Sequence, residues 1–219
     1  AQAILFPMMR VGALLGLLGL VAGYLPAEAL ELDRRRMLNA EEHVPWRGVG
    51  RVNVETMVAA SMCTGTLIAE DLVLTAAHCV MNPLTGKPHR PGSVHFVAGW
   101  RLGQEIAARV GKAIAVHPDY RLSDHPGPEQ IVADIALVRL DAPIPRAEAA
   151  PFEVAPTPAD GAPLTLISYR QDRPHALTRQ QGCDVLDSEG PGMVLACDVT
   201  FGASGSPLFV TKGEAARVA

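Results

Sequence analysis

Glycine and proline interrupt this chain so often that long helices are hard to place in it: 20 Gly and 18 Pro fall among 219 residues. Each proline removes a backbone donor and each glycine admits a turn, so the segments between them favour many short strands. With 48% apolar residues the chain can bury a core, either as one large all-β domain or as two small packed halves. Lys and Arg are scattered, aromatic residues make up 5% and the net charge is -4, a balance that does not describe a nucleic-acid-binding surface.

The front of the chain stands apart. Met8-Met9-Arg10 leads into the uncharged run Val11 to Gly23, and Leu25-Pro26-Ala27-Glu28-Ala29 closes it with small residues at 27 and 29. This is the pattern of a cleaved export signal over residues 1–29, too short to span a bilayer comfortably, so no stable membrane anchor is expected after cleavage. Leu30 to His43, with Asp33-Arg34-Arg35-Arg36, reads as an exposed leader or pro-segment. Export delivers the chain to the periplasm or the medium, where Cys63, Cys79, Cys183 and Cys197 are expected to form two disulfides. Three pairings are open; the sequential one closes two short loops, each contributing about 3 kcal/mol by chain-entropy reckoning. No Cys-x-x-Cys pair is present, and no metal site is expected.

Three stretches carry chemistry. The first, Phe201-Gly202-Ala203-Ser204-Gly205-Ser206-Pro207-Leu208-Phe209, sets a serine among glycines that permit unusual φ values and let a carbonyl approach the backbone N–H groups. Such a hydroxyl becomes a nucleophile only with a base beside it and donors for the oxyanion. The second is Ser61 to Val80, which reads as two strands, Thr64 to Ile68 and Leu72 to Thr75, joined at Glu70-Asp71. That hairpin delivers Thr75-Ala76-Ala77-His78-Cys79 to its far end, where small alanines leave space around the imidazole for a general base to work. In the third, Asp134 opens the apolar run Ile135 to Leu140; an acidic residue there is by default a turn residue. His43, His89, His95, His117, His125 and His175 lie in no such context and read as surface or core residues.

Cys63-Thr64-Gly65-Thr66-Leu67-Ile68, followed by Leu74-Thr75-Ala76-Ala77-His78-Cys79, resembles the catalytic-histidine region of the chymotrypsin-like (trypsin-like) serine peptidases. Pro45-Trp46 to Asn53 and Tyr169 to Leu177 are similar to segments of their secreted bacterial branch. The resemblance implies a Cys63–Cys79 disulfide that ties His78 to the first strand. It further implies His78 as general base, Asp134 as the carboxylate that fixes its tautomer, Ser204 as nucleophile, and the N–H groups of Gly202 and Ser204 as oxyanion hole. The implied protein is a secreted, monomeric serine endopeptidase that needs no cofactor, acts on polypeptides through an acyl-enzyme, and folds as two antiparallel six-stranded β-barrels. The order His, Asp, Ser separates this pattern from α/β-hydrolases, whose histidine follows the serine, and from subtilisin-like enzymes, whose aspartate precedes the histidine.

On that basis residues 44–140 form the first barrel half, 141–158 the Pro-rich crossing and 159–219 the second half. Val94 to Ala98 and Val110 to Val116 are strand candidates for the first; Pro163 to Tyr169 is one for the second. Cys183 to Leu186 and Met193 to Cys197 read as paired strands around Asp187 to Gly192, stapled by Cys183–Cys197 ahead of the nucleophile loop. There are three departures from the family pattern. Ala203 replaces the aspartate that in the trypsin branch pairs with a newly freed N-terminus, and Ser206 replaces a glycine. Residues 205–219 alone follow Ser204, so the second barrel is expected to be truncated, with an unpaired edge and exposed apolar surface. Asp198 stands where trypsin-like enzymes hold the pocket carboxylate that selects Arg or Lys, although Cys197 lies farther from Ser204 than in the family; a pocket role and a turn role both remain open. A non-catalytic peptidase homologue, serving as a binding or scaffold module, is the alternative that truncation favours.

Overall fold

The computed structural model of the protein describes residues 35–55, 60–158, 161–162, 164–187, 192–212 and 215–219. The expected export signal, residues 30–34 of the expected leader and most of the turn after Asp187 lie outside the described residues. The first described strand, β1 (Arg35–Met37), is followed by a short helix, α1 (Ala40–His43), that Asn39 and Glu42 close with a capping box. Next, β2 (Val49–Glu55), β3 (Ala60–Ala69) and β4 (Leu72–Thr75) run antiparallel. After a small hairpin of β5 (Met81–Asn82) and β6 (Lys87–Pro88), β7 (Val94–Ala98), β8 (Ala107–Val116) and β9 (Ala136–Leu140) close a barrel in the order β2-β3-β4-β9-β8-β7. A one-turn helix, α2 (Pro128–Val132), immediately precedes β9.

Alternation builds this barrel. Val52 and Val54 of β2, Leu67 of β3, Val73 of β4, Phe96 of β7 and Val138 of β9 point inward and are buried together, as period-two patterning requires. The expected β3–β4 hairpin is present, with Thr66 opposite Leu74 and Leu67 opposite Val73.

The second half is an open sheet, in the order β1-β11-β10-β14-β15. It contains β10 (Leu164–Arg170), β11 (Arg173–Cys183), β14 (Leu208–Lys212) and β15 (Ala215–Val218), while β12 (Val185–Asp187) and β13 (Val194–Leu195) pair separately. A parallel bridge between Val154 and Val218 covers part of the β15 edge with chain from the crossing segment. The described residues are thus all-β, a closed six-stranded barrel beside an open five-stranded sheet. Phe209, fully buried, packs against Trp46 and Phe152 with ring centroids 4.7 Å away in each case, and these rings join the two halves.

The charged stretch before Val44 departs from its expected exposure. From Arg35 onward it is part of the second sheet: β1 pairs with β11, the Leu38 N–H donates to the Leu177 carbonyl at 2.8 Å, and Leu38 is 1% exposed in the same core as Tyr169 and Phe209. Its arginines do not prevent this, because Arg36 pairs with Glu42 and Arg35 with Asp198.

His43 is carried into the fold with α1 and is 4% exposed. Burial first, then the charges of Arg101 and Arg47, pull its pKa down to about 4. The unfolded chain takes up this proton near pH 6.5 and the native protein only near 4. Stability attributable to His43 therefore is unaffected above about pH 6.5, falls as the pH drops from there to about 4, and levels off below, a loss of about 3 kcal/mol at most. Chemical denaturation of wild type and His43→Gln across that window is expected to give a flatter profile for the variant; parallel profiles would show that His43 does not couple to folding.

Candidate active site

The imidazole of His78 is positioned by the hairpin that the sequence announces. After β4 the chain tightens into a 3₁₀ turn, Ala77–Cys79, and the Cys63–Cys79 disulfide fastens that turn to β3. From the other side Asp134, just beyond α2, holds the histidine twice. Its Oδ1 accepts the His78 backbone N–H at 2.8 Å, and its Oδ2 lies 2.6 Å from ring Nδ1. One carboxylate thus fixes both the main chain and the ring, leaving Nε2 as the nitrogen free to accept a proton. Tyr120 packs nearby; burial, with the Asp134 charge adding to it, pushes its phenol up to about 12, so it is neutral beside the Asp134 carboxylate. Nothing local in the sequence marked Tyr120, since its role depends on the fold bringing the 117–120 turn to Asp134.

Ser204 sits in a turn whose glycines have no substitute. Gly202 has φ +91° and Gly205 φ +74°, both in the region that side-chain-bearing residues avoid. A Cβ on Gly205 would lie 2.3 Å from Thr75 Oγ1 and 2.5 Å from the Thr64 carbonyl, so the loop also rests directly on β3 and β4.

Thr64 is the fastening point. Its N–H donates to the Ser204 carbonyl at 2.8 Å and its hydroxyl donates to the Gly202 carbonyl at 2.8 Å. The same hydroxyl accepts the Tyr169 N–H at 3.0 Å, and the Thr64 carbonyl accepts from Thr75 Oγ1 at 2.8 Å. The Gln171 N–H completes the support by donating to the Phe201 carbonyl at 2.7 Å. With these carbonyls engaged, the amides of Gly202 and Ser204 donate no backbone hydrogen bond among the described residues.

His78, Gly202 and Ser204 line one cavity of about 610 Å³, together with Cys63, Cys79, Met62 and Arg51. Among the described residues no hydrogen bond joins the Ser204 hydroxyl to His78; Nε2 lies 3.7 Å from Cys79 Sγ. Cys63, His78 and Cys79 cluster closely enough to suggest metal ligands, yet the two sulfurs are bonded to each other and offer no thiolate. The second pair, Cys183–Cys197, is also bonded and ties the end of β11 to the segment leading to the serine loop.

Asp198 is placed differently from the expected pocket role. It is not among the residues lining the cavity. Its carboxylate pairs with Arg35 and lies 4.0 Å from Arg170, whose Nη1 donates to the Asp198 carbonyl at 3.0 Å. Two guanidinium groups already neutralise the charge that would attract a substrate cation. Beside it Val199 and Phe201 are 61% and 80% exposed, and Phe201 lines the cavity.

These features define an all-β domain of two halves with a cavity between them that holds both His78 and Ser204. Residues 63–216 match the trypsin-like peptidase domain, and the chain belongs to that family. It is 28% identical over 94 residues to a trypsin of Sarcophaga bullata, an alignment that takes in 43% of this chain and 33% of that protein, about a third of the relative's length. Similar solved folds include the protease Anisep from Arthrobacter nicotinovorans, with TM-score 0.64, 16% identity and 84% coverage of both chains. A Glu endopeptidase superposes with TM-score 0.65 at 19% identity, over 81% of this chain and 80% of its own.

The double use of the Thr64 hydroxyl makes a testable prediction. Thr64→Val keeps the shape but orphans the Gly202 carbonyl and the Tyr169 N–H, and is expected to lower the unfolding free energy by about 1–3 kcal/mol. Thr64→Ser, which keeps the hydroxyl, is expected to recover most of that loss in denaturant titrations; a Thr64→Val protein as stable as wild type would show that the hydroxyl's two bonds do not support the fold.

Proposed function

We propose that this domain is a serine endopeptidase with His78, Asp134 and Ser204 as its catalytic triad. The observation that carries the reading is the two-point grip of Asp134 on His78 at the rim of a cavity shared with Ser204. In the mechanism, His78 Nε2 takes the Ser204 proton as Oγ attacks the substrate carbonyl. Asp134, accepting the Nδ1–H, fixes the tautomer and stabilises the imidazolium. The oxyanion accepts from the N–H groups of Gly202 and Ser204, a role supported by their donating no backbone hydrogen bond among the described residues; one such donor is typically worth about 10²- to 10³-fold in rate. His78 then gives its proton to the leaving amine, and a water activated by the same imidazole hydrolyses the acyl-enzyme.

The substrate class is polypeptide, as for the family. We further propose export to the periplasm or the medium, with the protein acting there as a monomer. Support comes from two disulfides, which persist in oxidising compartments, and from the apolar run at the front of the sequence. No helix among the described residues is long and apolar enough to cross a membrane.

A fluorophosphonate probe tests the reading, since it bonds only to an activated serine. Wild type is expected to be labelled on the peptide containing Ser204, and Ser204→Ala to lose the label. Asp134→Asn is expected to reduce peptide hydrolysis by a factor on the order of 10⁴ through the wrong tautomer. A folded wild type that takes no label would overturn the proposal and leave a non-catalytic binding module in its place.

A further inference from the structure

The two faces of β2 have different fates. Val52 and Val54 enter the barrel core, whereas Val49 packs into the second half and Arg51, Asn53 and Glu55 follow on that same outward face, along the cavity that holds Ser204 and His78. Among these three, Arg51 is the cation without a counter-charge: no carboxylate of the described residues lies in ion-pair range, and its buried Nε has no acceptor. Glu55 is four residues along the strand, about 13 Å at the usual rise, and is too distant to pair with it.

The guanidinium is nevertheless held in place. Its Cζ lies 5.2 Å from the centre of the Trp100 ring, and the Tyr169 hydroxyl secures Trp100 by donating to its carbonyl at 2.8 Å. Stacking on the indole orients the planar fork while leaving its edge donors available. Its Nε is buried without an acceptor while the rest of the fork faces the cavity, so a carboxylate entering there finds an unpaired donor as well as a charge.

Its position identifies the ligand. Arg51 is opposite Thr64 in the β2–β3 register, and the Thr64 N–H holds the Ser204 carbonyl at 2.8 Å. Opposed residues in an antiparallel pair are roughly 5 Å apart, and an extended peptide advances about 3.3 Å per residue. A long side chain from Arg51 therefore meets a bound peptide two or three residues from the bond being cut. We propose that Arg51 is a specificity residue that binds an Asp or Glu side chain of the substrate at that distance, as a bidentate guanidinium–carboxylate pair. The inference rests on the peptidase reading above.

The test is a set of quenched fluorescent peptides in which Asp replaces Asn at each of the three positions on either side of the cleaved bond. Wild type is expected to show a kcat/KM ratio for Asp over Asn of roughly ten- to hundredfold at one position two or three residues from that bond. In Arg51→Gln that ratio is expected to collapse to about one, in Arg51→Lys to be partly kept, and in Arg51→Glu to invert in favour of a Lys peptide. Fluorophosphonate labelling of Ser204 is measured in parallel on every form. A wild type that labels but shows no acidic preference at any position overturns the Arg51 assignment alone, and this arm needs no variant to fold. A preference that survives in labelled Arg51→Gln also overturns it. A folded wild type that neither labels nor cleaves overturns the peptidase reading and this inference with it.

Discussion

The structure depends on one buried threonine. Thr64 uses its N–H, its hydroxyl as donor, the same hydroxyl as acceptor, and its carbonyl, and these bonds reach the serine loop, β10 of the second half and β4 of its own barrel. A buried polar side chain is costly unless every partner is supplied, so this node exists only when both halves are in register. Its neighbour Cys63 performs the matching task on the other side by bonding to Cys79, the residue after the histidine. Two consecutive residues on β3 thus hold the His78 turn by a covalent bond and the Ser204 loop by hydrogen bonds. His78 and Ser204 come from different halves, yet both are fastened to a single strand.

What could be read from sequence was what local chemistry fixes. The hairpin ending in His78 is signalled by apolar runs about Glu70-Asp71, and the observed β3–β4 register follows it. β7 coincides with the expected Val94 to Ala98, and β12 with β13 reproduces the pair expected ahead of the serine loop. Less legible was β11: its sequence, RPHALTRQQGC, has neither clean alternation nor β-branched enrichment, and it becomes a strand because β10 and β1 flank it on both sides. Docking of residues 35–43 was hidden for the same reason. The arginine run looks solvated in isolation, and only Asp198 and Glu42, distant in sequence or reached through α1, convert it into a packed edge. Asp198 shows the limit of motif transfer, since its spacing from Ser204 fits a substrate pocket while its ion partners lie far away along the chain.

Cation placement separates structural arginines from the one assigned to substrate. Arg35 and Arg170 converge on Asp198, and Arg170 also binds Asp172, lowering the pKa of that carboxyl chiefly through the hydrogen bond between them. These groups neutralise each other and stitch β1 to the segment before the serine loop. Their carboxylates are about half exposed while Arg170 is buried, so the arrangement holds two segments in register and keeps a buried guanidinium paired. Arg51 differs in kind: it has an aromatic support and a place in the cleft but no carboxylate in ion-pair range among the described residues. Burial lowers its pKa, although an arginine remains charged throughout the physiological range.

The closed barrel and the open sheet carry unequal shares of this design. The barrel has no free edge and holds the His78–Asp134 pair within its own loops, so that pair can survive considerable loosening elsewhere. Ser204 has no such independence, because its loop is tied to β10 and to Thr64 across the contact that Trp46, Phe152 and Phe209 fill. Weakening that aromatic contact would move the hydroxyl relative to the imidazole while leaving the imidazole and carboxylate together. On the proposed mechanism, labelling of Ser204 therefore reports on the packing between the halves, and it is expected to fade before either half unfolds.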